Sequence, residues 1–230
     1  MTKRILPSAV PKKEGKRIKD RSPPWSPRKF FALSIVGSRT SGKTNLVAWC
    51  LLNGWLDNYK NVVIFSPSVT FDKTWTSVED YDNILASDEC SDAILNQVMD
   101  HQKRLWRKSH KNDLLIIVDD FSSVMRTKGG FTKTLDKIFS TARHYGTSIC
   151  ITAQFLNHIS PTCRLNSTNV IVFRLNDKEY TKLAEEYRMF LSDKEFIQNA
   201  IEATHQRYHF FYIDMQTEDR QKVFTEGFHD

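Results

Sequence analysis

Sorted into apolar and polar positions, the chain alternates between continuous apolar runs and stretches where apolar residues recur every three or four positions. Six runs have the length and composition of strands: 29–37 (KFFALSIVG), 61–66, 114–118, 148–153, 169–173 and 208–213. Helical spacing predicts helices over about 42–53, 91–108, 131–145, 178–188 and 193–203. Residues 67–81 show neither period and read as irregular. A strand apolar at consecutive positions has both faces buried. Such strands separated by helices predict a parallel sheet covered on both sides, an α/β fold.

Composition supports a globular body. Apolar residues make up 40% of the 230 and charged residues 26%, a balance that suits a water-soluble domain. No apolar run approaches the roughly 20 residues needed to cross a bilayer. The amino terminus lacks the apolar core of a signal peptide, which points to an intracellular protein. Cys50, Cys90, Cys150 and Cys163 show no CxxC or His-rich spacing and read as ordinary thiols, without a zinc site or disulfide framework.

The net charge of +6 is unevenly spread. Residues 1–29 hold ten Lys and Arg against two acids, so the remainder is slightly acidic. Pro7, Pro11, Pro23, Pro24 and Pro27 interrupt the same segment. The expectation is a disordered basic arm over 1–28 followed by a single domain over 29–230.

The first candidate chemistry is Gly37-Ser38-Arg39-Thr40-Ser41-Gly42-Lys43-Thr44, between an apolar strand and a helix. This is a P-loop. Its glycines let backbone amides approach phosphates, Lys43 is placed to reach the β- and γ-phosphates of ATP, and Thr44 offers a hydroxyl to Mg²⁺. The helix that follows adds a positive N-terminal end. Asp119 and Asp120 end the apolar run LLIIV, the position of a Walker B acid. Asp119 is the expected Mg²⁺ partner and Asp120 the group that polarises the attacking water, or else a cap for the next turn. Gln154 ends SICITAQ and is a candidate γ-phosphate sensor, the alternative being a solvated strand end. Arg143 and Arg164 flank that strand. Each fits an arginine finger acting on a neighbouring subunit's nucleotide, or a plain helix-end charge or ion pair. Arg126, Lys128 and Lys133 form a basic segment that suits a nucleic-acid backbone. The basic stretch 101–111 reads mainly as a solvated helix face.

Together GSRTSGKT, LLIIVDDF and ARHYGTSICITAQ, followed by Arg164 and Asn166, resemble the genome-packaging ATPases of large eukaryotic DNA viruses and virophages, poxvirus-like members of the FtsK/HerA superfamily. The resemblance covers about residues 30–175. It implies a P-loop NTPase of the ASCE/RecA-like kind, with a mostly parallel sheet and helices on both faces. It further implies a Mg²⁺-dependent ATPase that forms a homo-oligomeric ring and moves double-stranded DNA into a capsid made of other viral proteins, without membrane association. By that resemblance Gln154 is the sensor, and Arg143 or Arg164 the finger supplied in trans. The place of action implied is the host cytoplasm, at the viral factory, or the virion; the basic arm also fits a nuclear-import signal. Many members of the wider superfamily have Glu where this chain has Asp120. A small-molecule phosphotransferase such as a nucleotide kinase is the alternative from residues alone, as is another DNA motor of helicase type.

Overall fold

The structure, a computed structural model, describes residues 26–78, 81–121, 131–218 and 223–227. Eight strands form one sheet: β1 (Ala32–Val36), β2 (Asn61–Phe65), β3 (Ile84–Ser87), β4 (Leu114–Val118), β5 (Thr147–Ala153), β6 (Asn169–Val172), β7 (Phe210–Asp214) and β8 (Phe224–Gly227). The helices that position the site or cover the sheet are α1 (Lys43–Cys50), α2 (Lys73–Thr76), α3 (Asp92–Lys108), α4 (Thr132–Thr141), α5 (Pro161–Asn166), α6 (Asp177–Tyr187) and α7 (Asp193–Ala203).

The spatial order is β3-β2-β4-β5-β1-β6-β7-β8. Pairings from β3 through β6 are parallel, whereas β6–β7 and β7–β8 are antiparallel. The mostly parallel sheet expected from the apolar runs is therefore present, with an antiparallel margin added at one side. Parallel strands send all their carboxyl ends to one edge, where ligands bind in open α/β sheets. Because β7 runs against β6, the segment preceding β7 reaches that edge too.

Alternation within each strand splits the core in two. Leu33, Ile35, Ile64, Leu115, Ile117 and Cys150 pack with Leu46, Trp55 and Trp75 on the α1 face. Val36, Phe65, Ile116, Val118, Ile149 and Ile151 pack with Leu95, Leu135, Leu183 and Phe196 on the other. This two-sided burial is why each central strand reads as a continuous apolar run.

Five departures from the pattern are present: β8, which none of the six apolar runs anticipated, and four with local causes. The first helix does not stop near residue 53. After α1 the chain passes through a π-helical turn (Leu51–Trp55), in which Gly54 takes φ 149°, and gains a last turn at Leu56–Asn58. Only glycine adopts that angle freely, and the turn seats Trp55 in the core, 5.1 Å centroid to centroid from Phe31. Within the stretch read as irregular, Asp72 caps α2 by accepting from the Thr74 amide at 2.8 Å, and Trp75 is fully buried. A single turn with one apolar residue has no period to detect. Edge strand β3 is only half-buried and carries an exposed Leu85. Helix α5 was likewise absent from the pattern; it is one short turn and a half, with Ser160 as its cap and Pro161 opening it.

Of the basic arm expected over 1–28, only 26–28 lie within the described residues. There Pro27 is buried and the Ser26 hydroxyl accepts from Trp55 Nε1 at 3.3 Å. No helix among the described residues is long and apolar enough to cross a membrane.

Candidate nucleotide site

The loop after β1 is anchored to the strands on both its sides. The Gly37 amide donates to the Ala153 carbonyl at the end of β5 (3.2 Å), and the Ser38 amide donates to the Arg174 carbonyl just after β6 (3.3 Å). Side chains are excluded where the loop is tightest. A Cβ on Gly37 would stand 2.6 Å from Phe173 Cβ, and Gly42, at φ +105°, would put one 2.9 Å from the Tyr208 ring. Gly42 thus serves as the left-handed entry to α1, which has no side-chain cap, so its first amides stay directed at the loop. Lys43 is buried, and its ammonium donates to the carbonyls of Gly37 (2.8 Å) and Ser38 (2.9 Å). Burial pulls its pKa down, and the charges of Asp120 and Asp119 oppose that.

Strand register explains the acid beside it. Val118 pairs with Phe65 on one side and Ile151 on the other, so the next residue, Asp119, comes level with Ser66 and Thr152. Both hydroxyls donate to its carboxylate, Thr152 at 2.7 Å and Ser66 at 3.1 Å, and Thr44 Oγ1 approaches at 3.1–3.2 Å. Asp119 is only 1% exposed. Burial raises its pKa; the bonds from Thr152, Thr44 and Ser66 work against this, while the Asp120 charge adds to it. Three hydroxyl donors around one buried carboxylate are what makes its burial tolerable.

Asp120 faces outward and has a left-handed backbone (φ +54°), with its amide donating to Thr152 Oγ1 at 3.0 Å. Gln154 Nε2 donates to Asp120 Oδ1 at 3.1 Å. The two side chains read separately from two strands therefore meet. They line, with Arg39, Thr40, Lys43 and Thr44, a cleft of about 310 Å³ at the carboxyl edge of the sheet.

Other expected residues lie elsewhere. Arg143 is in the 3₁₀ turn Ala142–Tyr145, before β5 starts, and lines a small hollow with Phe30, Ala32 and Asn166 at the amino edge of the sheet. It is exposed, and among the described residues its side chain makes no hydrogen bond or ion pair. Arg164 is engaged: its guanidinium donates to Glu186 (2.8 Å) and to the carbonyls of Ile159 (2.7 Å) and Leu156 (3.3 Å). Lys133 sits exposed in the first turn of α4. Arg126 and Lys128 fall outside the described residues. Five cleft residues were not anticipated: Asn45, Asp72, Thr74, Arg207 and Tyr208. Asn45 follows the P-loop directly in α1, Asp72 and Thr74 fall in the stretch read as irregular, and Arg207 immediately precedes the apolar run 208–213 that Tyr208 opens.

The cleft fits a nucleoside triphosphate and a magnesium ion. Within the loop, the Ser41 hydroxyl is buried without a partner among the described residues, the glycines leave room that a Cβ would fill, and Lys43 supplies a cation. A hydroxyl beside a carboxylate is the hard oxygen donor set that Mg²⁺ takes. Sheet order, loop and acids define a P-loop NTPase.

The model of the family described as poxvirus A32 protein matches residues 26–223. The chain belongs to that family and is a P-loop ATPase. Among solved structures it is similar to the genome packaging NTPase B204 of Sulfolobus turreted icosahedral virus 2 in complex with AMPPCP. Identity there is 14%, the match covers 85% of this chain and 96% of that one, and the TM-score is 0.61. B204 from Sulfolobus turreted icosahedral virus, a DNA-packaging ATPase, matches at 14% identity over 86% and 97% of the two chains, TM-score 0.60. EccC of Thermomonospora curvata (ATPases 2 and 3, with a signal sequence peptide) matches at 14% identity, covering 84% of this chain but 35% of that one, TM-score 0.56. At these identities the likeness is one of fold. No curated protein matches the chain.

Proposed function

We propose that this protein is the ATP-driven motor that packages viral double-stranded DNA into a preformed capsid, acting as a multimeric ring built from its 29–230 ATPase domain. The observation that carries the reading is the meeting of Lys43, Thr44 and Asp119 at the carboxyl edge of the sheet. Membership of the poxvirus A32 family and the fold shared with packaging NTPases support the choice of cargo.

In this reading residues 37–44 cradle the triphosphate, and Lys43 exchanges its bonds to loop carbonyls for phosphate oxygens. Thr44 and Asp119 would hold Mg²⁺, which supplies positive charge against the phosphate oxygens. Asp120 takes up the proton of the attacking water, and Gln154, already bonded to Asp120, orients that water and registers the γ-phosphate. The last charge comes from an arginine of the neighbouring subunit. Arg143 suits this better than Arg164, which would have to surrender Glu186 and two carbonyls first. Lys133, with Arg126 and Lys128, would touch the DNA backbone without reading bases. The ring would act during virus assembly, in the host cytoplasm or on the forming virion.

The direct test measures ATP turnover with and without linear double-stranded DNA, alongside native mass spectrometry of the same sample. The expected result is DNA-stimulated hydrolysis by an oligomer. A strict monomer whose turnover ignores DNA overturns the proposal.

A further inference from the structure

The cleft has two flanks, and only one carries the residues already given roles. Asp119, Asp120 and Gln154 come from the β4–β5 side of the P-loop strand. On the opposite side, where β6 and β7 reach the same edge, the cleft is lined by Arg207 and Tyr208. Neither belongs to a motif. Tyr208 has a left-handed backbone (φ +72°), a conformation that a non-glycine residue keeps only where its surroundings hold it. Here its ring lies against Gly42, so closely that a Cβ on that glycine would be 2.9 Å from Cδ1. The Arg207 guanidinium lies over the ring with its carbon 4.8 Å from the centroid. Arg207 is exposed, and among the described residues it makes no hydrogen bond or ion pair. A planar cation thus lies over an aromatic ring at the cleft wall, with no carboxylate among the described residues to occupy it.

We propose that Arg207, backed by Tyr208, is the platform on which the nucleobase of the bound nucleotide stacks. This rests on the reading of the cleft as a nucleoside triphosphate site. If the terminal phosphate faces Asp120 and Gln154, the nucleoside end leaves on the other flank, toward β6 and β7, where Arg207 stands. A guanidinium plane supported by an aromatic ring takes any base by its π-face, so affinity for the base comes from stacking and not from reading its edges. Arg207 is accordingly a nucleotide-positioning residue that acts on the base, distinct from Lys43, which acts on phosphate.

The test is calorimetric titration of ATP and of inorganic tripolyphosphate into the full chain and into Arg207→Ala, Arg207→Lys and Lys43→Ala variants, with thermal melts confirming that each folds. Arg207→Ala should weaken ATP about tenfold and leave tripolyphosphate binding unchanged. Arg207→Lys keeps the charge but loses the plane, and should follow the alanine variant. An equal loss for both ligands would make Arg207 a phosphate contact and overturn the proposal. So would full ATP affinity in the alanine variant, or its restoration by lysine. A failure of the underlying site reading looks different: the unmodified chain binds neither ligand, or Lys43→Ala affects neither.

Discussion

Asp120 combines a charge, a strained backbone and a side-chain partner, and a single substitution separates them. Asparagine tolerates the left-handed region better than most non-glycine residues, through its short polar side chain. Asp120→Asn therefore keeps the turn and the amide bond to Thr152 while removing the carboxylate that accepts from Gln154. If Asp120 is the proton acceptor, kcat should fall by about 10²-fold or more, with nucleotide affinity held within a few-fold. Steady-state turnover and calorimetry on one preparation check both halves; a proportionate loss of affinity would make Asp120 a binding residue instead. At this scale the sequence was informative about single side chains and silent about their company. Asp119 and Gln154 stand out because each is polar after an apolar strand. The donors Ser66 and Thr152 do not, because their importance comes from register between strands far apart in the chain. Arg207 and Tyr208 were invisible for the same reason: the antiparallel turn of β7 brings them to the cleft.

Elements with long, two-sided or strongly periodic burial were legible, their ends off by up to three or four residues. β4 lies where its apolar run predicted, and α3 starts after the Ser91 cap that accepts from the Ile94 amide. Short elements whose stability comes from tertiary contacts, α2, β3 and α5, left no pattern. Local capping can nonetheless be tested where it is complete. α7 opens with a full capping box, in which Ser192 accepts from the Glu195 amide while the Glu195 carboxylate accepts from the Ser192 amide at 2.9 Å. The bonds from Ser192 hold the Glu195 carboxyl below its ordinary pKa. Removing the hydroxyl with Ser192→Ala should cost about 1 kcal/mol of stability, read as a lower urea midpoint at unchanged slope. Because Ser192 is at the end of α7 far from Arg207, turnover at saturating ATP should not change. A loss of turnover without a loss of stability would mean that α7 communicates with the cleft.

For the whole molecule, the decisive fact is that Arg143 and the cleft occupy opposite edges of one sheet. Within a subunit, Arg143 precedes the start of β5 and Gln154 follows its end, so this arginine has no route to its own nucleotide. It can serve hydrolysis only if the amino edge of one copy faces the carboxyl edge of the next. That is a head-to-tail contact, the kind that closes into a ring when repeated. Subunit mixing isolates this arrangement. On the proposed reading, Lys43→Ala subunits would not hold nucleotide productively but would still present Arg143, and Arg143→Ala subunits would bind nucleotide but offer no finger. Each alone should be nearly inactive, since such a finger contributes on the order of 10³–10⁵ in rate. Mixed one to one with random incorporation, about one site in four pairs an intact cleft with an intact donor, so turnover should recover toward roughly a quarter of the unmodified level. Arg164→Ala in place of Arg143→Ala should give no such recovery, because its contacts with Glu186 and the Leu156 and Ile159 carbonyls belong to its own subunit. Turnover by Arg143→Ala alone at the unmodified rate would remove this residue from the shared site, and recovery with Arg164→Ala would transfer the role to it.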